Sequence, residues 1–211
     1  MEISVSILNS KDRIKDTIKL NNTSCDYIHV DVMDGKFVPP VNFTINEVLD
    51  IINKSNKKID IHLMCNNPKE YIKELVDYNI SYITFHEEIN EDIEEIISIL
   101  KKHNIKVGMS IKPNTKIDKL YKYLDKIDLI LIMSVEPGYG GQTFIPNVLQ
   151  KAKELKQIIK EKNLNIKLEI DGGVNDTNID IINKSNIDIS VVGSYITKSN
   201  DFEDKIKKLK Y

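Results

Sequence analysis

The chain has 211 residues, 41% of them hydrophobic, enough to bury a substantial core and too apolar for a disordered segment. Its 30 Lys and Arg against 32 Asp and Glu are interleaved and leave a net charge of -2, so the electrostatic footprint of a nucleic-acid binder is missing. Two cysteines, Cys25 and Cys65, and a start without signal-peptide character argue against a disulfide scaffold, and the longest apolar run (Ile127–Met133), short and containing Asp128, is too short to span a bilayer. A cytoplasmic protein is expected.

Short β-branched runs alternate with longer amphipathic segments from end to end. Strands are predicted at Ile3–Ile7, Asp26–Val32, Lys58–Leu63, Tyr82–Phe85, Lys106–Ile111, Leu129–Ser134, Lys167–Ile170 and Ile189–Val192. Between them, helices are predicted at Asp12–Leu20, Ile45–Asn53, Pro68–Tyr78, Asn90–His103, Lys116–Leu124, Pro146–Lys162 and Thr177–Asn183, with a last one from Asp201. Asp, Asn, Ser or Thr stands at or near most of these helix starts, as N-caps should. Eight strand–helix units of about 26 residues match the lower size limit of a (β/α)8 barrel. A doubly wound sheet would usually carry a Gly-rich loop after its first strand, whereas Leu8-Asn9-Ser10 has no glycine. The expectation is one α/β domain, a (β/α)8 barrel over residues 1–211, with its function at the C-terminal ends of the strands.

Those strand ends hold an unusual set of side chains. The second ends His29-Val30-Asp31-Val32-Met33-Asp34-Gly35, and a period of two puts His29, Asp31 and Met33 on one face. The third, Asp60-Ile61-His62-Leu63-Met64, puts His62 and Met64 together, and the seventh supplies Asp171 ahead of Gly172-Gly173. One strand histidine alone is most often a core or rim residue. Two imidazoles and two carboxylates from three strand ends instead suit a divalent cation such as Zn, Fe, Mn or Co. His86 has no carboxylate at ligand spacing and is read as structural or supporting.

Only one of the basic residues is an arginine, Arg13, so an anion must be held without the usual guanidinium fork. Six of eight glycines lie beyond position 137. They fall in Gly138-Tyr139-Gly140-Gly141 after the sixth strand, Gly172-Gly173 after the seventh and Gly193-Ser194 after the eighth, where barrels bind phosphate through backbone N–H groups. Each cluster alone is a weak signal, equally a plain turn. Together with a metal they suggest proton transfer beside the carbonyl of a sugar phosphate, the metal polarising the carbonyl and the aspartates exchanging the proton.

Ser6-Ile7-Leu8, His29 to Gly35 with Phe37-Val38-Pro39, Asp60 to Met64, Met133-Ser134-Val135-Glu136-Pro137-Gly138-Tyr139-Gly140-Gly141-Gln142, Asp171-Gly172-Gly173 and Gly193-Ser194 resemble the ribulose-phosphate 3-epimerase family, in order over nearly the whole chain. The resemblance implies a (β/α)8 barrel that interconverts D-ribulose 5-phosphate and D-xylulose 5-phosphate in the pentose phosphate pathway. It makes His29, Asp31, His62 and Asp171 ligands of one divalent cation, with Asp31 and Asp171 as the acid/base pair at C3 and an enediolate between the epimers. It places Ser6, His62 and Asp171 against substrate, Gly138, Tyr139, Gly140, Gly141, Gly172, Gly173, Gly193 and Ser194 around it toward the phosphate, and Met33, Met64 and Met133 along the reacting centre. Pro40, Lys112 and Tyr195 depart from the family's usual pattern, and none is a ligand or an acid/base residue. The expected partner is a sugar phosphate, with neither nucleic acid nor membrane, and the expected assembly is a homo-oligomer. The alternatives are a 3-epimerase of a six-carbon ketose phosphate such as D-allulose 6-phosphate, and a non-catalytic sugar-phosphate-binding barrel. The first is disfavoured by the intact Asp171-Gly172-Gly173 and Gly193-Ser194, the second by the presence of both aspartates.

Overall fold

In the computed structural model, which describes residues 1–210, eight parallel strands close on themselves in chain order. They are β1 (Glu2–Ser6), β2 (Tyr27–Met33), β3 (Lys58–Met64), β4 (Tyr82–His86), β5 (Lys106–Ile111), β6 (Leu129–Met133), β7 (Lys167–Asp171) and β8 (Ile189–Val192). β8 pairs back onto β1, so no strand edge is left unpaired. The helices are α1 (Arg13–Leu20), α2 (Ile45–Lys54), α3 (Pro68–Leu75), α4 (Ile93–Lys102), α5 (Val148–Glu161), α6 (Ile179–Asn183), α7 (Ser194–Thr197) and α8 (Phe202–Lys210), and a 3₁₀ helix, Ile117–Tyr123, crosses between β5 and β6. Among the described residues no helix is long and apolar enough to cross a membrane.

Local chemistry sets the helix boundaries. Thr44 and Glu47 form a reciprocal capping box at α2, and the Asp12 side chain accepts from the Lys15 N–H at α1. Asp92 accepts from the N–H groups of Glu94 and Glu95, which starts α4 at Ile93 and not at Asn90. α3 stops at Leu75, short of the expected Tyr78, because the chain tightens there into an i to i−3 bond from the Tyr78 N–H to the Leu75 carbonyl. Residues 117–123 wind as 3₁₀ and not as the expected α-helix, with no side chain capping their start. α5 and α6 each begin two residues later than expected, at Val148 and Ile179. The four-residue α7, directly after β8, was not foreseen: its brevity leaves no apolar period to read.

The strand alternation divides the core. On β2, Ile28, Val30 and Val32 join the large apolar cluster beneath the helices, while Tyr27, His29, Asp31 and Met33 take the opposite, inward face. The barrel floor is apolar, with Tyr27, Tyr82, Leu129 and Ile189 in one cluster. Above it the filling is polar: Ser4, His29, Asp60, Thr84, Ser110 and Glu169 are all buried. Barrels of this kind are ordinarily filled by Val, Ile and Leu, so this layer is where the interior departs from simple packing. Gly108 belongs to it for a steric reason, since a Cβ there would lie 2.0 Å from Thr84 Oγ1.

Candidate active site

Strand register brings the ionisable side chains together. Asp31 pairs with His62, His29 pairs with Asp60, and Asp171 closes β7 between Met133 of β6 and Val191 of β8. One ligand atom from each of His29, Asp31, His62 and Asp171 falls within 4.8 Å of the others. Asp31 Oδ1 lies 3.3 Å from both His29 Nε2 and His62 Nδ1, and its Oδ2 accepts from Ser6 Oγ at 2.8 Å. The His29 Nε2 atom is buried and has no hydrogen-bond partner. A buried imidazole nitrogen with nothing to bond, facing carboxylate oxygens, fits a cation ligand, and an N2O2 donor set suits Zn, Fe, Mn or Co.

Other residues hold these side chains in place. His29 donates through Nδ1 to Asp60 Oδ2 at 2.7 Å, and the same oxygen accepts from Ser4 Oγ at 2.9 Å. Asp60 shares the inward parity of His62, and Glu169 that of Asp171, so strand alternation alone could have flagged both. His86 also belongs to the site: its Nε2 is 2.9 Å from His62 Nε2, and its Nδ1 is 3.0 Å from Glu88 Oε2. The expectation that His86 lacks a carboxylate partner is therefore corrected. The partner is two residues away, where β4 has ended and the turn brings Glu88 back toward the ring.

Burial penalises every charge in this cluster, and neighbours decide which charges survive. For His29 the carboxylates of Asp31 and Asp60 outweigh burial and raise the pKa well above that of a free imidazole. For His62 burial prevails and keeps the ring neutral, and burial brings His86 down to about 4. Asp31 is held well below the usual carboxylate range because His29 and His62 overcome its burial. Asp171 goes the other way, pushed up to about 7 by burial and by the charge on Asp31. Two aspartates at one mouth thus have opposite proton affinities, which is what an acid and a base working side by side require.

Over this cluster opens a cavity of about 420 Å³. Ser6, Asp31, Met33, Met64, Met133 and Asp171 line it, and Met33 and Met64 are paired neighbours on β2 and β3. Gly138, Tyr139, Gly140, Gly141, Gly172, Gly173, Gly193 and Ser194 line it as well, from the loops after β6, β7 and β8. His29 and His62 are fully buried and lie outside this lining. Among the described residues no Lys or Arg lines the cavity, whose polar groups are backbone, hydroxyl, amide and the carboxylates of Asp31, Asp171 and Asp176. Gly173 has φ +69, and a Cβ on it would sit 2.6 Å from the Phe144 backbone nitrogen, so the β6 and β7 loops meet backbone to backbone. Asn9 is a further residue that sequence reasoning missed: its Nδ2 donates to Ser194 Oγ at 3.0 Å, joining the β1 and β8 loops.

Residues 2–197 match the Ribulose-phosphate 3 epimerase family. The chain belongs to the ribulose-phosphate 3-epimerase family. It is 36% identical over 202 residues to the ribulose-phosphate 3-epimerase of Escherichia coli K12, covering 93% of this chain and 88% of that one. It is 36% identical over 181 residues to the Helicobacter pylori J99 enzyme of the same name, covering 85% and 82%. Among solved structures, a mutant tryptophan synthase α-subunit from Pyrococcus furiosus superposes with a TM-score of 0.74 at 17% identity, over 99% of this chain and 96% of that one, a likeness of fold alone. Of the three departures from the family's usual residues, Tyr195 lines the cavity, and Lys112 Nζ lies over the Phe37 ring, 4.1 Å from its centroid. Pro40 accepts from the Gly35 N–H in the turn after β2.

Proposed function

We propose that this chain interconverts D-ribulose 5-phosphate and D-xylulose 5-phosphate by proton transfer at C3, with Asp31 and Asp171 as the two acid/base groups. The observation that carries the reading is the pair itself: two carboxylates from β2 and β7 at one cavity, one held ionised and the other pushed up to about 7. Family membership supports epimerase chemistry.

His29, Asp31, His62 and Asp171 would hold a divalent cation, Zn, Fe, Mn or Co, through the four donor atoms that converge there. Bound there, such a cation polarises the substrate carbonyl and offsets the negative charge that develops on its oxygen. The chain's own residues do the rest. Asp31, ionised, takes the proton as the C3–H bond breaks, and the bonding pair is left to delocalise toward the C2 carbonyl. Asp171, protonated, delivers its proton to the opposite face of C3 as the new C–H bond forms. The pair is then set for the reverse reaction, with the proton on Asp31. Ser6 Oγ donates to the Asp31 oxygen that faces away from the histidines, which fixes the carboxylate's orientation. Met33, Met64 and Met133 supply apolar walls that keep water from the carbanionic carbon. The glycine loops after β6, β7 and β8 and Ser194 would take the phosphate through N–H and O–H donors, in keeping with the absence of cationic side chains from the lining. From these two substrates we infer a role in the pentose phosphate pathway, and with it a cytoplasmic protein.

Turnover of D-ribulose 5-phosphate and of D-allulose 6-phosphate, before and after chelation and metal add-back, tests the proposal. It expects strong preference for the five-carbon substrate and reversible loss on chelation. Preference for the six-carbon sugar, or full activity in a demetallated protein, would overturn it.

A further inference from the structure

Four groups run in a line outward from the ligand cluster: Asp31, His62, His86 and Glu88. Their contacts are 3.3 Å from Asp31 Oδ1 to His62 Nδ1, 2.9 Å between the two Nε2 atoms, and 3.0 Å from His86 Nδ1 to Glu88 Oε2. Two neutral imidazoles carry one N–H each, so three contacts share two hydrogens. Nitrogen facing nitrogen at 2.9 Å needs one of them. A carboxylate can only accept, and the 3.0 Å contact to Glu88 takes the other. The long 3.3 Å contact is left with a bare nitrogen facing a carboxylate oxygen, two acceptors that a cation bound to both would satisfy.

We propose that Glu88 and His86 set the tautomer of His62 and so present its Nδ1 lone pair to the cation; both are positioning residues. The inference rests on the metal reading above. Glu88 is well placed to dictate direction. Its Oε1 accepts from the Lys112 N–H at 2.8 Å and from the Thr115 hydroxyl, which leaves Oε2 for His86. The loop carrying those donors is clamped in turn by Lys151, whose Nζ donates to the carbonyls of Lys112, Pro113 and Thr115. Phe37 packs on the His86 ring with centroids 4.5 Å apart, so the ring cannot turn away from the line.

This geometry makes an isosteric change informative. In Glu88→Gln the amide oxygen stays at the Oε1 position, where two donors hold it, and the NH2 group takes the place facing His86. The amide then donates to His86 Nδ1, His86 donates through Nε2 to His62, and the His62 hydrogen moves to Nδ1, where it opposes the cation. Replacing a partner of this kind typically costs 10–100-fold in metal affinity. The experiment measures Co2+ affinity by chelator competition and reads the ring tautomers of the metal-free protein by 15N NMR, with thermal melts as the folding control. For the wild type we expect hydrogen on His62 Nε2 and His86 Nδ1. For Glu88→Gln we expect both reversed and Co2+ binding at least tenfold weaker at unchanged melting. His86→Phe, which fills the space without an acceptor, should also weaken Co2+ binding. Wild-type tautomers opposite to these, or Co2+ affinity within twofold of wild type in Glu88→Gln, would overturn the proposal. If the wild type itself binds no Co2+, the metal reading fails and the proposed purpose of the relay fails with it, while the tautomers still show whether Glu88 sets the direction.

Discussion

Replacing Asp171 by Asn should abolish turnover and yet make the metal-free chain more stable at neutral pH and above. Asp171 rises from an ordinary 3.8 to about 7, through burial and then through the charge on Asp31. Among the described residues no hydrogen bond to its carboxyl contributes to this rise, so the amide has none of that kind to forfeit. A carboxyl whose folded pKa is raised contributes its full stability below the unfolded pKa and loses it as pH climbs through the folded one. At about 1.4 kcal/mol per pH unit, roughly three units set a ceiling of about 4 kcal/mol at pH 8. Because part of the carboxyl reaches the cavity, about 2–4 kcal/mol is the working range. For a chain of this size each kcal/mol moves the melting temperature by about 2–4 °C, so Asp171→Asn should melt about 4–16 °C above wild type at pH 8. Melts in chelator at pH 8 and pH 5 provide the assay, and the advantage should shrink by more than half at pH 5. A variant no more stable than wild type at pH 8, or an advantage independent of pH, would refute the reasoning.

Asp31→Asn should eliminate epimerisation and weaken metal binding by at least tenfold, because Asp31 Oδ1 is the one oxygen facing both His29 Nε2 and His62 Nδ1; normal turnover or unchanged Zn2+ affinity by chelator competition would count against its double role. Metal uptake should release a proton, because the raised pKa of His29 keeps it protonated near neutrality and its lone pair must be freed. Apparent Zn2+ affinity should therefore climb about tenfold per pH unit from pH 6 to 7, and calorimetry in buffers of different ionisation enthalpy reads the proton directly; a flat profile contradicts the assignment. Gly108→Ala should cost about 1–3 kcal/mol in urea unfolding, because the new Cβ meets Thr84 Oγ1 at 2.0 Å, and adding Thr84→Ala should recover part of it.

Much of this was legible from alternation along the strands. A period of two was enough to put His29 with Asp31, to point His62 inward and to leave Asp171 at a strand end, and the late glycines marked the loops that line the cavity. What escaped reading depends on relations between strands. Asp60 and Glu169 have the right parity, yet only register shows that Asp60 lies beside His29 and orients its ring. Glu88 lies past the end of β4, where period two no longer applies, so its return to His86 is set by a turn and by donors from the β5 loop. Asn9 bonds Ser194, 185 residues away, a contact that only closure of the barrel creates. Helix α7 is too short to carry a periodic signal at all.

The most direct test of two-base epimerisation is the fate of the C3 hydrogen of D-ribulose 5-phosphate in deuterated water. D-Xylulose 5-phosphate formed by the wild type should carry solvent deuterium at C3, while Asp31→Asn and Asp171→Asn, folded, should form none. Product that retains the original C3 hydrogen, or that carries deuterium at C1 and not at C3, would contradict proton transfer between these two aspartates.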